Sequence, residues 1–143
     1  MATIPQTMPL VIGLGCSTAA ATGEIVDLIR ACLGQAGLDA SQIAAFATHV
    51  RKRDSLELAE AASRFDVPLR FLDDDDLAPG VPGTSEAVAA AAGPLLLGKR
   101  KSRYATCAIA AAAPGFVVSA FGQPASPSAA MAPSTLATSL AGP

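Results

Sequence analysis

The 143-residue chain is one domain's worth of protein and leads to the expectation of a single core. Its hydrophobic fraction of 51% rests heavily on alanine, which brings little area to a core, and the bulkier apolar residues concentrate between Leu10 and Leu97. A net charge of -2 excludes a general electrostatic pull toward nucleic acid or an anionic membrane, so any charge argument rests on position.

Residues 10–15, LVIGLG, predict a short buried strand that ends in glycines and turns tightly. From Glu24 the apolar positions Ile25, Leu28, Ile29, Cys32, Leu33 and Ala36 follow helical spacing, and Gly37 is a natural stop. A second strand is expected over 43–50, followed directly by the basic triplet Arg51-Lys52-Arg53. Asp54 or Ser55 can cap a second helix, whose buried side is Leu56, Leu58, Ala59, Ala62 and Phe65 and which Pro68 ends. A third strand runs over 69–72. Asp73 to Asp76 then suit the first turn of a short helix, facing its positive dipole end.

Pro79, Gly80, Pro82 and Gly83 predict a turn-rich loop, with Ser85 as cap of an alanine-rich helix from Glu86 to about Ala92. Leu95 to Leu97 form the fourth strand, and the run KRKSR turns the chain into a fifth, Tyr104 to about Ala111. So close a connection implies an antiparallel hairpin. From Pro114 onward the composition is alanine, serine, proline and glycine, which buries too little to offset its ordering entropy. Phe116, Val117, Val118 and Phe121 are exceptions that can add a strand or pad a surface. The expected organisation is an N-terminal extension over 1–8, an α/β domain over 9–112 and a disordered or loosely docked tail over 113–143.

Alternating strands and helices predict an α/β fold of three αβα layers, with a mainly parallel sheet of about five strands and a C-terminal antiparallel hairpin. In such sheets the loops after the carboxyl ends of parallel strands share one edge, where ligands bind. Seven of the ten basic residues lie in two clusters, Arg51 to Arg53 and Lys99 to Lys101 with Arg103, and this geometry sends both to that edge. The glycine loop Gly13 to Ser17 joins them there.

Several residue types in this pattern invite chemistry, and each has a plainer structural alternative. Gly13 and Gly15 either expose N–H groups to an anion or simply end a strand. No Gly-Lys-Ser/Thr follows, which excludes a P-loop, and the dinucleotide fingerprint lacks its third glycine. Cys16 is either a thiolate stabilised by a helix start or a small buried residue, and burial is the first reading. His49 can act as a general base, although a lone histidine at a strand end reads first as structural. Glu86 is the best acid candidate, with capping duty as its rival. Cys16, Cys32 and Cys107 are far apart, and with His49 as the sole histidine they offer no metal-ligand spacing. The odd cysteine count and a start without basic residues fit a cytoplasmic protein.

In order along about residues 10–111 the chain carries Gly13-Leu14-Gly15-Cys16, then Ala47-Thr48 with Lys52 and Asp54, then Pro68-Leu69-Arg70-Phe71, Ser85-Glu86-Ala87 and Lys99-Arg100-Lys101-Ser102. In this order and spacing it resembles the CobE/CbiG C-terminal domain family, with Ser17, Thr18 and Ala19 where relatives tend to carry basic residues and Gly. The resemblance implies a role in cobalamin (vitamin B12) biosynthesis, handling a polycarboxylate corrin or precorrin intermediate beside other corrin-pathway enzymes. It leans to an accessory binding protein without cofactor, metal, nucleic-acid or membrane partner. The ligand-binding set is then Gly13, Gly15, Cys16, Lys52, Asp54, Ser85, Glu86, Lys99, Arg100, Lys101 and Ser102, and the catalytic candidates are Glu86 and His49. Two alternatives stay open. One is a hydrolase component acting with a partner on cobalt-precorrin-5A, opening its lactone and releasing acetaldehyde. The other is a tail anchor over the uncharged residues 104–121, which fall short of the roughly 20 strongly apolar residues of a span.

Overall fold

A computed structural model describes residues 8–77, 80 and 83–124. The expected extension before Met8, the prolines of the turn-rich loop (Pro79 and Pro82) and the tail beyond residue 124 lie outside the described residues. Five strands and three helices follow in the order β1 (Leu10–Cys16), α1 (Thr22–Ala36), β2 (Ile43–His49), α2 (Leu56–Phe65), β3 (Leu69–Leu72), α3 (Thr84–Ala90), β4 (Leu95–Lys101) and β5 (Ala105–Ala111).

The continuous apolar run of β1 is what a strand covered on both faces requires. Leu10, Ile12 and Leu14 pack toward α1 and α2, and Val11 packs with Val88 of α3 on the other face. β1 is therefore central, in the order β3-β2-β1-β5-β4. The layers are as expected, but the sheet is mixed rather than mainly parallel. β1 pairs parallel with β2, and β2 with β3, whereas β5 runs antiparallel to both β1 and β4. Two reversals leave β4 pointing the same way as β1, so the bend between β4 and β5 reaches the edge where β1 and β2 end.

Local chemistry explains the helices. α1 stops at Gly37, whose φ of 69° suits glycine, while the N–H of Leu38 reaches back to the Leu33 carbonyl. Ser55 caps α2 by accepting from the Leu58 N–H at 3.2 Å. At α3 the expected cap is displaced: Gly83 holds the N-cap position, and Ser85 lies within the first turn, buried, its hydroxyl without a partner among the described residues. The reason is close packing. A β-carbon on Gly13 would sit 2.0 Å from the Ser85 carbonyl and 2.9 Å from the Ala89 β-carbon. Alanine's small volume, poor at filling a core, lets α3 lie this near the sheet.

The four aspartates form a turn rather than a helix start. Asp73 Oδ1 accepts from the N–H groups of Asp75 and Asp76, and Asp76 Oδ2 accepts from the Asp73 N–H. Of the tail, residues 113–124 dock on the α3 face. Phe116 and Phe121 meet edge to face with ring centres 5.1 Å apart and cover Val11, Ala47 and Leu72. Buried Arg70 anchors this segment through the carbonyls of Ser119, Phe121 and Gly122. Residues 104–121, read above as an alternative membrane span, are thus a strand and a docked segment. Among the described residues no helix is long and apolar enough to cross a membrane.

Candidate functional site

The carboxyl ends of β1 and β2 and the β4–β5 bend surround a cavity of about 430 Å³. β1 contributes Gly15 and Cys16, followed by Ser17. A β-carbon at position 15 would lie 2.7 Å from the hydroxyl of Thr106, its antiparallel neighbour, so glycine lets Thr106 keep its present orientation. After β2 the chain makes a 3₁₀ turn over Val50–Lys52 that projects Arg51 and Lys52 into the cavity. The hairpin adds Lys99, Lys101, Ser102, Arg103 and Tyr104. Among the described residues, five cations thus line the cavity and no acidic residue does. Among the described residues the single ion pair is His49 with Asp74, so none of the five has a carboxylate at salt-bridge distance. Arg51 is steadied instead by the Thr84 hydroxyl, to which it donates at 2.9 Å.

Of the expected ligand-binding residues, the fold brings together Gly15, Cys16, Lys52, Lys99, Lys101 and Ser102. Others fall elsewhere. Gly13 and Ser85 are the packing contact between β1 and α3. Arg100 points to the opposite face, where it donates to Gln35 at 3.0 Å, because Lys99 to Lys101 lie inside β4 rather than in a turn and side chains alternate along a strand. Asp54 lines a smaller neighbouring cavity of about 240 Å³ that shares Cys16, Ser17, Arg51 and Lys52 with the first. Cys16 is half-buried, its sulfur 4.0 Å from the Ser55 hydroxyl.

The two catalytic candidates are engaged structurally. His49 is 8% exposed. Its Nδ1 accepts from the Arg51 N–H at 3.1 Å, which leaves the proton of the neutral ring on Nε2, 2.7 Å from Asp74. Both nitrogens are hydrogen-bonded, so the ring, at the cavity wall, ties the basic turn to Asp74. Glu86 does not line the cavity, and its carboxylate accepts from the Lys99 N–H at 3.0 Å. Cys32 and Cys107 hydrogen-bond to each other in the core, and that bond, with burial, pushes the Cys107 thiol well up.

Reading the residues did not single out Arg51, Arg103, Tyr104, Thr84 or Thr106 for the site. The first two belonged to clusters already marked as basic. Tyr104, the chain's lone tyrosine, ends the bend with the Arg103 guanidinium 5.2 Å from its ring centre. Glu24 was missed as well. Its carboxylate accepts from the Ser102 hydroxyl and from the Tyr104 N–H, and these bonds, aided by Arg103, hold it below its ordinary value of 4.5.

The family model described as "Cobalamin synthesis G C-terminus" matches residues 10–110, more than half of the chain. The chain belongs to that family. Solved structures agree with the fold. CobE, a protein from the cobalamin (vitamin B12) biosynthetic pathway, matches with a TM-score of 0.66 at 24% identity, over 78% of this chain and 95% of that one. The cobalamin biosynthesis protein chiG from Agrobacterium tumefaciens str. C58 matches with a TM-score of 0.60 at 28% identity, over 73% and 98%. A cobalamin biosynthesis protein G homolog from Sulfolobus solfataricus matches with a TM-score of 0.60 at 26% identity, over 74% of this chain but 37% of that longer one. No curated protein matches. Within this cobalamin synthesis G C-terminal member the matched span contains every strand pairing around the cavity, and it ends at Ala110, just inside β5.

Proposed function

We propose that this protein serves cobalamin biosynthesis in the cytoplasm by binding a polycarboxylate corrin or precorrin intermediate in the basic cavity. The observation that carries the reading is the lining of five cations with no opposing carboxylate. Corrin precursors are broad rings edged with acetate and propionate arms, and charge-assisted hydrogen bonds from lysine and arginine are the strong way to hold such groups. Tyr104 offers an apolar ring face beside the arms. A cavity of about 430 Å³ is small against such a macrocycle. It suits one edge of the ring, leaving the rest projecting toward another corrin-pathway enzyme.

The accessory reading is favoured over the hydrolase reading because His49 has both nitrogens engaged and Glu86 is turned onto β4. Titration with hydrogenobyrinic acid tests it. The visible spectrum of the ring is expected to shift and saturate at about tens of micromolar or below. The ring's methyl esters, with the same macrocycle but no carboxylates, are expected to bind at least about tenfold more weakly. An unshifted spectrum for the acid, or equal affinity for acid and esters, overturns the proposal.

A further inference from the structure

Glu24 stands in the first turn of α1, outside the cavity, yet it is bonded to the part of the hairpin that enters it. One oxygen, Oε2, accepts from the Tyr104 N–H at 2.6 Å and from the Ser102 hydroxyl. The bend is also closed on itself, with the Ser102 N–H donating to the Ala105 carbonyl at 3.0 Å and the Ala105 N–H donating to the Ser102 hydroxyl oxygen at 3.2 Å. On the far side the Ser17 N–H donates to the Tyr104 carbonyl at 2.9 Å. Residues 102–104 are thereby stitched to α1 and to the loop after β1.

This arrangement answers a physical difficulty. Lys101, Arg103, Arg51 and Lys52 line one cavity and repel one another, and a short exposed bend has little packing to resist that push. A carboxylate facing into the cavity would offset the repulsion but also compete with an anionic ligand. Glu24 acts from behind, on backbone and hydroxyl donors, and among the described residues forms no ion pair with the cationic side chains. It also uses the Ser102 hydroxyl proton, which removes Ser102 as a donor to ligand.

We infer that Glu24 is a positioning residue of the site, holding the 102–104 bend so that Lys101, Arg103 and Tyr104 face the cavity before a polycarboxylate ligand arrives. The inference rests on the binding function proposed above and names a part of that same site. Preorganised donors bind more tightly because the ordering cost is met in the free protein.

The test combines amide exchange in the free full-length chain with titration by hydrogenobyrinic acid. Glu24→Ala is expected to speed exchange of the Tyr104 amide at least about tenfold, while amides of the β1–β5 ladder keep their protection. Affinity for the ring is expected to fall about tenfold. Glu24→Gln keeps an acceptor oxygen and is expected to recover most of the protection and the affinity. Tyr104 exchange unchanged in Glu24→Ala overturns the inference, and so does faster exchange with unchanged affinity. Should the wild-type chain fail to bind the ring, the binding function falls, while the exchange comparison still decides whether Glu24 holds the bend. If Glu24→Ala does not fold, Ser102→Ala removes the hydroxyl half of the clamp and supplies the same comparison.

Discussion

Replacing Lys99 and Lys101 together by glutamate is expected to weaken binding of hydrogenobyrinic acid at least about a hundredfold, while Arg100→Glu between them leaves it within about threefold. The contrast follows from strand geometry. Lys99 and Lys101 leave β4 on the cavity side, whereas Arg100 leaves on the other and bonds to Gln35 of α1. A hydrogen bond to a charged group contributes roughly 1.5–3 kcal/mol, and each 1.4 kcal/mol is about tenfold in affinity. Losing two such bonds therefore costs about a hundredfold or more, before counting repulsion from the new carboxylates. The substituted lysines are exposed and lack ion-pair partners among the described residues, so unfolding midpoints are expected to stay close to wild type. Spectral titration of the three proteins checks the result. Equal losses for the double variant and for Arg100→Glu would mean that general charge, not the cavity, attracts the ring.

Gly13→Ala is expected to destabilise the fold by about 3 kcal/mol or more. Ordinary overpacking of a core costs roughly 1–3 kcal/mol, because side chains can shift aside. Here the obstacle is the Ser85 backbone carbonyl, 2.0 Å from the new β-carbon, so α3 itself must lift from β1. Gly23→Ala is the matched control. Its β-carbon meets nothing within 4 Å and its position is helical, so the change is expected to be neutral or stabilising by about 0.5–1 kcal/mol. Urea unfolding of both variants measures the difference. A Gly13→Ala protein as stable as wild type would show that α3 does not sit on the sheet as described, and would return Gly13 to the anion-binding candidates.

The backbone elements legible in the sequence were those fixed by local chemistry. β1 was marked by an apolar run, α1 by its spacing and Gly37, α2 by Ser55, and β3 by the short Leu69–Leu72 stretch after Pro68. What escaped depended on distant partners. Strand and helix alternation carries no information on which neighbour β5 chooses, so the antiparallel pairing with β1 that mixes the sheet was invisible. β4 was read too short because Lys99, Arg100 and Lys101 look like turn residues, yet an edge strand facing solvent tolerates such charges and is protected by them. Ser85 has the preferred chemistry of a cap, but its place against Gly13 sets it within the first turn of the helix, two residues past the N-cap Gly83. Within the site, charge clustering pointed to Lys52 and the hairpin cations, which the fold brings to one cavity. It could not reveal the phase that divides Lys99 and Lys101 from Arg100. Nor could it find Glu24, which meets Tyr104 across 80 positions of sequence.

The claim on which the functional reading depends is that an acidic ring seats at the shared edge of β1, β2 and the β4–β5 bend. A crystal structure of the complex with hydrogenobyrinic acid tests this most directly. Ring carboxylates are expected within hydrogen-bond reach of Lys52, Lys99 and Lys101, with the ring edge against Tyr104. A ring seated instead in the apolar groove at the other end of the sheet, between Pro9, Pro94 and Phe116, would contradict it.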